Sequence, residues 1–368
     1  MSEFGIEQQE HQAVKNSPAK EIKQPATKVK LPYPVLSVDL GTTETKACLN
    51  ANPEYVEFIP AYVKELSVNQ VQGVIQPFAS DVYSNLTVEY RGKGYALGNR
   101  AEDEQGSLGL TESKVAHAVV KVLGIVTLFE LTGDVALVIG LPYLSLEQFE
   151  SEREQLIEAL EFQTKVWNFR KETKEISVQE VFVIPEGFCS LYWAQQSDAK
   201  APPFEKTSVA IIDIGHRTTD MLSVNRFNLA VGSTLSIPFA MSEFYRRVGE
   251  RIGFGNHESS CLIQAVTALE GDRFFRPKGR RKGIDLDEVL PSLRSTFAEE
   301  VCDRVIEWLP ERTRIVCVVG GGGKYFWQEL KELFLEAGLK PYLIEPCRKA
   351  TALGQWLYGS NQLIKQHR

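Results

Sequence analysis

The chain carries one short pattern twice, and this repeat constrains the fold more than any other feature. Residues 36–46 read Leu-Ser-Val-Asp-Leu-Gly-Thr-Thr-Glu-Thr-Lys, and residues 211–220 read Ile-Ile-Asp-Ile-Gly-His-Arg-Thr-Thr-Asp. Each copy is an apolar run that ends in an aspartate (Asp39 or Asp213), followed by a glycine and a hydroxyl-rich turn. The repeat predicts two related halves, each of which begins with a strand, a turn and a second strand.

Three further apolar runs have the character of strands that are buried on both faces. They occupy residues 135–139, 181–184 and 315–319 and contain no charged side chain. Strands of this kind lie in a mostly parallel sheet covered by helices. Apolar residues at helical spacing in 115–131 and 289–308 provide candidates for those helices. We therefore expect an α/β fold.

The composition along the chain predicts its division into domains. The first 31 residues are polar and poor in large apolar side chains, so they are expected to form a flexible tail. A polar segment with two prolines, 197–206, is the expected main boundary. The predicted parts are the tail 1–31, a first domain 32–200 with a small insert at about 52–98, a second domain 201–345 and a C-terminal segment 346–368 that returns to the first domain.

Charge and cysteine usage exclude several classes of protein. With 41 Lys and Arg against 48 Asp and Glu, the net charge is −7, so no general surface for nucleic acid is predicted. The six cysteines include no C-x-x-C pair, which argues against a zinc site. The window 115–131 is broken by His117, Lys121 and Glu130, so we interpret it as a buried helix and expect no membrane segment. Without a secretory signal at the N-terminus, these features predict a cytoplasmic protein.

The turns after the two aspartates have the chemistry of a phosphate site. Gly41 and Gly215 permit a positive φ and a close approach of the backbone to phosphate oxygens. Lys46 adds a positive charge suited to a terminal phosphate. The threonines that add hydroxyl donors are Thr42, Thr43, Thr45, Thr218 and Thr219. Neither a Walker A sequence nor a G-x-G-x-x-G turn is present, so P-loop and Rossmann sites are not predicted.

The two aspartates imply a metal ion at this site. Ionised carboxylates only accept hydrogen bonds, so Asp39 and Asp213 would repel phosphate unless Mg²⁺ or its waters lay between them. A single Asp-x-Gly turn is often only a tight hairpin. Two such turns, together with a third buried strand that ends in the glycines at 320–323, favour a nucleotide site.

The three motifs resemble, in order and spacing, the phosphate 1, phosphate 2 and adenosine motifs of the actin-like ATPases. Residues 39–46 resemble phosphate 1, residues 213–220 resemble phosphate 2 and residues 318–323 resemble the adenosine motif. The segment 346–358 resembles the closing helix of this superfamily. The resemblance covers residues 33–359 and is greatest to the ParM-type bacterial actins, which segregate plasmids, and their archaeal relatives.

This resemblance implies two duplicated ribonuclease-H-like domains, with ATP or ADP and Mg²⁺ in the cleft between them. It implies that Asp39 and Asp213 hold the metal, and that Glu186 and Asp213 are catalytic, with Glu186 orienting the attacking water. An alternative for Glu186 is a carboxylate at a helix N-terminus, stabilised by the helix dipole. The implied nucleotide contacts are Gly41, Thr42, Thr43, Thr45, Lys46, Gly215, Thr218, Thr219, Gly320, Gly321, Gly322 and Gly323.

The resemblance also implies a function. An ATPase of this type polymerises head to tail into nucleotide-dependent filaments and has a DNA-bound adaptor protein as a further partner, for plasmid or DNA segregation. The alternative is a non-polymerising ATPase of the same fold, such as a phosphotransferase, a chaperone-like protein or a scaffold.

Two features depart from the expected pattern or lie outside it. His216 and Arg217 stand where phosphate 2 turns commonly have glycine, and Arg217 either pairs with phosphate or points to solvent. Residues 276–283 contain five basic residues in eight and are expected to form an exposed loop. The loop is either simply solvated, or it contacts an acidic subunit surface, an adaptor or DNA phosphate. Elsewhere, direct binding of nucleic acid is not expected.

Overall fold

A computed structural model of the protein describes residues 31–73, 82–108, 115–143, 145–168, 170 and 172–368. The predicted tail, apart from Leu31, and part of the predicted insert lie outside the described residues. The strands are β1 (Val35–Leu40), β2 (Glu44–Cys48), β3 (Glu57–Pro60), β4 (Val63–Leu66), β5 (Thr87–Tyr90), β6 (Lys93–Leu97), β7 (Gly133–Leu141), β8 (Gln163–Asn168), β9 (Thr173–Pro185), β10 (Ser208–Ile214), β11 (Thr219–Asn225), β12 (Asn228–Leu229), β13 (Leu235–Ile237), β14 (Phe274–Phe275), β15 (Ile284–Asp285), β16 (Ile315–Val319) and β17 (Lys340–Leu343). The helices are α1 (Val68–Gly73), α2 (Gly98–Asp103), α3 (Val115–Leu128), α4 (Leu146–Leu160), α5 (Ser190–Ser197), α6 (Met241–Arg251), α7 (Ser260–Thr267), α8 (Leu290–Trp308), α9 (Gly320–Tyr325), α10 (Trp327–Glu336) and α11 (Ala350–Gln366).

Two sheets share one topology, which confirms the predicted duplication. The first has the order β3-β2-β1-β7-β9-β8-β5-β6-β4, and the second has the order β12-β11-β10-β16-β17, with β13 also paired to β11. In each sheet an antiparallel hairpin, β1-β2 or β10-β11, is followed by two parallel strands, β7-β9 or β16-β17. The fold is therefore actin-like, with the repeated motif at the same place in both halves.

The predicted insert is a continuation of the first sheet. The apolar run 55–63 predicts one strand, but the structure has two: β3 pairs with β2 and β4 pairs with β6, so the chain turns between them. Strands β4 to β6 join the sheet through the pairing of β5 with β8. The bounds of the domains themselves stay a prediction.

An apolar cluster lies between the two sheets. It combines side chains of α5 and α11 with the inner faces of β10 and β11. Helix α11 crosses so near to the start of α5 that a Cβ at Gly354 would stand 1.8 Å from the Cys189 carbonyl oxygen. The Ser37 hydroxyl of β1 donates a hydrogen bond to the Ala352 carbonyl at 2.7 Å. The C-terminal helix thus packs on the first sheet. None of the helices in the described part of the chain has the length and apolar character needed to span a bilayer.

Ion pairs join α6 to α8 in the second half. Arg246 donates two hydrogen bonds of 2.7 Å to the Glu243 carboxylate. Arg247 binds Glu243 at 2.9 Å and also donates to Glu300 of α8 at 2.5 and 3.0 Å. Because the hydrogen bonds from Arg246 favour the ionised carboxylate, they lower the pKa of Glu243 to about 2.

Glu243→Gln should make the free energy of unfolding less dependent on pH in the acidic range. The pKa of this carboxyl is lower in the folded chain than in the unfolded chain, so its contribution is complete above the ordinary value of 4.5 and is lost as the pH falls towards about 2. Between about pH 6 and about pH 3, the free energy of unfolding in urea should therefore fall more steeply for the wild type than for the variant. Equal slopes would contradict this role of Glu243.

Candidate functional site

Both copies of the repeated turn border a single cleft of about 640 Å³. This volume lies in the range of about 300–1,000 Å³ that is typical of small-molecule sites. The predicted site residues that line it are Asp39, Gly41, Thr42, Thr43, Lys46, Glu186, Asp213, Gly215, Thr218, Gly321 and Gly322. Residues that are far apart in the sequence therefore meet at one place.

In the first half, an ion pair joins the ends of the hairpin. Asp39 and Lys46 are cross-strand partners on β1 and β2, and the Lys46 ammonium lies 2.8 Å from Asp39 Oδ2. Burial disfavours the ammonium, but Asp39 and Asp213 outweigh this effect and raise the pKa of Lys46 above its ordinary value. Lys46 is thus a fixed positive charge beside both aspartates. The turn requires glycine because a Cβ at Gly41 would stand 2.4 Å from the Glu44 carbonyl oxygen.

In the second half, the equivalent hairpin carries an aspartate where the first carries the lysine. Asp213 is paired across the strands with Asp220, as Asp39 is with Lys46. The Thr218 hydroxyl donates to Asp220 Oδ2 at 3.0 Å, and the Gly215 amide donates to the Thr218 carbonyl at 2.9 Å. Asp220 lines the cleft and was missed from sequence. Its alignment with Lys46 in the repeat was the signal that could have found it.

Glu186 lies in the turn between β9 and α5. Its amide donates to the Leu141 carbonyl at 2.9 Å. The next residue, Gly187, has a φ of +77°, and a Cβ there would stand 3.3 Å from the Asp213 Cβ. This turn therefore passes directly against the second aspartate. Because α5 begins only at Ser190, the alternative of a carboxylate in the first turn of that helix is not what the structure contains.

The four glycines after β16 form the start of a helix. Gly320 has a φ of +87° and lies against Asp213, because a Cβ added there would stand 2.4 Å from Asp213 Oδ1. A Cβ added at Gly322 would stand 2.5 Å from Ile214 Cγ2. Glycine is needed here for α9 to pack on the end of β10. Gly321 and Gly322 line the cleft, whereas Gly320 and Gly323 do not.

Two predicted site threonines do not line the cleft. The buried hydroxyl of Thr45 has no hydrogen-bond partner among the residues that the structure describes, and the residue borders a separate cavity of about 10 Å³. Thr219 is buried and donates to the Phe239 carbonyl at 2.6 Å. The physical reason is strand alternation: their neighbours Lys46 and Thr218 face the cleft, so these side chains point the other way. The motif shows which residues are near the site but not which face they occupy.

Several charged or aromatic residues of the cleft were not among the predicted nucleotide contacts, and two of them, His216 and Arg217, lie within the motif 213–220. Arg348, just before α11, forms a salt bridge with Glu44 and lies 4.9 Å over the Phe58 ring. Burial lowers the pKa of His216, whose ring lies 5.8 Å from that of Tyr245, so the imidazole is neutral at neutral pH. Arg217 is exposed at the edge of the cleft. Arg348 contacts Glu44 and Phe58, which are about 300 residues away in the sequence, so no local pattern could predict these contacts.

The donors in the cleft suit Mg²⁺ that is bound together with phosphate. In the described ranges, no group of three or more His, Cys, Asp or Glu residues is placed to hold a metal ion by itself. Mg²⁺ usually takes only one or two carboxylates and completes its shell with water and phosphate oxygens. Asp39 and Asp213, which both raise the pKa of Lys46, could supply such carboxylates.

Family comparisons match both halves of the chain. Residues 37–188 match the N-terminal domain of actin-like proteins, and residues 211–332 match the C-terminal domain of an archaeal MreB-like actin homologue. Together these matches span most of the chain and include both Asp-x-Gly turns. No curated protein sequence shows a significant match.

Solved structures of actin homologues share the fold at low sequence identity. The actin-like protein Alp7A superposes with a TM-score of 0.72 at 14% identity, covering 90% of this chain and 97% of its own. The archaeal actin homologue Ta0583 gives 0.67 at 18% identity, covering 89% and 100%. A ParM from a 15-stranded filament of Clostridium botulinum gives 0.66 at 20% identity, covering 89% and 99%.

The two threonines that face away from the cleft give a matched pair of variants. Thr45→Val should raise the free energy of unfolding by about 1 kcal/mol, because it removes a buried hydroxyl that has no partner within the described part of the chain. Thr219→Val, at the equivalent position of the other hairpin, should lower it by about 1 kcal/mol, because a buried hydrogen bond is lost. Urea denaturation measures both. A change of the same sign in both variants would contradict this assignment.

Proposed function

Because this chain belongs to the actin-like proteins, we propose that it binds ATP with Mg²⁺ in the cleft between its halves, hydrolyses it and assembles into filaments that depend on nucleotide. The main support is that both copies of the Asp-x-Gly turn border one cleft of nucleotide size. A Ta0583 structure in complex with ADP has the same fold. The proposed domains are 32–200 and 201–345, with 346–368 packed on the first.

The proposed binding mode divides the nucleotide between the two halves. The turns around Gly41 and Gly215 would donate backbone and hydroxyl hydrogen bonds to the phosphates, and Lys46 would neutralise their charge. Asp39 and Asp213 would hold Mg²⁺, which when bound shields the phosphate oxygens and favours charge development on them. Gly321 and Gly322 both line the cleft, and a Cβ at Gly321 would meet only Arg348 at 3.9 Å, so a nucleoside could pack at this point.

In the proposed hydrolysis, Glu186 positions the attacking water. The turn that carries Glu186 follows β9 of the first sheet and lies against Asp213 of the second half. The position of the Glu186 carboxylate in the cleft would therefore change with the distance between the halves. A carboxylate at this place can accept a hydrogen bond from water and align it with the terminal phosphate. Lys46 and the turn amides would stabilise the negative charge that develops there.

Assembly is the second part of the proposal. Structures with this fold include filaments of a Clostridium botulinum ParM and of Alp12. Head-to-tail contacts between copies are heterologous and do not close on themselves, which is the geometry of a filament. A filament of this kind could move DNA that is bound through an adaptor, and plasmid segregation is the task we propose.

Glu186→Ala should separate nucleotide binding from turnover. Phosphate release from Mg-ATP should fall by about a hundredfold or more, because the water loses its acceptor, while nucleotide affinity should stay within about threefold. Glu205→Ala, at an exposed position of the loop before β10, is the control. Unchanged phosphate release in Glu186→Ala would exclude the proposed role.

Nucleotide-dependent assembly is tested on the whole chain by light scattering and negative-stain microscopy. Filaments are expected with Mg-ATP and should shrink as phosphate is released, whereas removal of Mg²⁺ by a chelator should prevent assembly. Turnover of ATP without assembly at any concentration would contradict the filament and favour a non-polymerising ATPase of the same fold.

A further inference from the structure

One surface of the second half is both basic and apolar. We define the basic hairpin as β14, β15 and the loop 276–283 between them. Its five basic side chains are exposed: Arg276, Lys278, Arg280, Arg281 and Lys282. Beside them, Phe274 is 62% exposed and lies over Gly283, and Leu269 in the preceding turn is 78% exposed. Large apolar side chains exposed within a charged surface often mark an interaction site.

The hairpin is held firmly on the domain. Phe275 is buried, and its ring lies 4.9 Å from that of Phe254. At the base of the hairpin, Arg273, which precedes β14, forms a salt bridge of 3.1 Å with Asp287, which follows β15. The exposed side chains are therefore carried by an ordered element, which lowers the entropy cost of docking.

A second surface has the opposite charge. We define the acidic end as the C-terminal portions of α8 and α10. Its exposed carboxylates are Asp303, Glu307, Glu332 and Glu336. Among them, Ile306 is 44% exposed and Leu335 is 53% exposed.

The two helices run side by side in the same direction. Near their starts, Arg294 of α8 binds Glu329 of α10 at 2.9 Å. Near their ends, Val305 of α8 and Phe334 of α10 lie in one buried apolar cluster. Burial raises the pKa of the Cys302 thiol to about 11, and the charges of Asp303 and Glu336 add to this effect. The carboxylates of both helices thus form one surface.

The two surfaces lie at opposite ends of α8. The base of the hairpin leads through the buried Leu286 directly into the start of the helix. From Leu290 to Ile306 the helix rises by about 24 Å, at about 1.5 Å per residue. One end of the domain is therefore basic and apolar, and the other is acidic and apolar.

We propose that the basic hairpin of one copy of this chain docks on the acidic end of the next copy. The contact would join two different surfaces, so it can repeat head to tail from copy to copy, as a filament requires. Phe274 and Leu269 would pack on Ile306 and Leu335, while the surrounding charges would set the register. A DNA backbone could pair with the basic residues but would leave both apolar side chains uncovered. This proposal deepens the proposed function by naming its subunit contact.

Charge reversal in two separate chains tests the contact. Arg281→Glu with Lys282→Glu reverses the hairpin, and Glu332→Lys with Glu336→Lys reverses the acidic end. Each double variant alone should raise the concentration needed for assembly by at least about tenfold, because like charges then face each other. An equimolar mixture should regain assembly, since both of its contacts are complementary again. The control, Lys200→Glu with Lys206→Glu, reverses two exposed charges elsewhere and should assemble as the wild type does.

Sedimentation velocity of the same chains without nucleotide measures the contact independently of turnover. Failure of the wild type to assemble with Mg-ATP, while it still self-associates in a charge-dependent way, would contradict the proposed function alone. The inference itself is overturned if each double variant associates normally, if the mixture does not recover, or if the wild type shows no self-association under either condition. Loss of duplex DNA binding by the hairpin variant with normal assembly would identify a DNA contact instead.

Discussion

The ion pair between Lys46 and Asp39 is the interaction on which the site depends. Two aspartates, one from each half, border the same cleft, and like charges in a partly buried place destabilise the fold unless a cation compensates them. Lys46 lies 2.8 Å from Asp39 and also responds to the charge of Asp213. It therefore offsets the mutual repulsion of the aspartates. A divalent cation between the two carboxylates would do the same.

The duplication supplies the geometry, and divergence between the copies supplies the chemistry. The hairpins have equivalent registers, so Lys46 and Asp220 occupy matching positions, with opposite charges. Glycines at two places, Gly187 and Gly320, let backbone segments approach Asp213, more closely at Gly320. The site is consequently asymmetric. One hairpin presents a cation, and the other presents carboxylates that are closely packed by backbone segments. An asymmetric site can bind a ligand with two different ends.

The same asymmetry extends to the outer surface. Helices α5 and α11 pack between the sheets and join the halves. In the second half, α8 has the basic hairpin at its start and the acidic end at its finish. A domain with complementary surfaces at its two ends has the polarity that head-to-tail association requires.

Local patterns in the sequence determined a large part of this protein. The apolar runs predicted β7 and β16, helical spacing predicted α3 and α8, and the repeated motif predicted two related halves with Asp39 and Asp213 at one site. These features depend on neighbouring residues, so they can be predicted without knowledge of the packing. Tertiary structure decided the rest, because it depends on pairing between distant segments. Strand register and the alternation of side chains decided that Thr45 and Thr219 point away from the cleft and that Asp220 points into it. Helix packing brought the carboxylates of α8 and α10 onto one surface, at the end of α8 opposite to the basic hairpin.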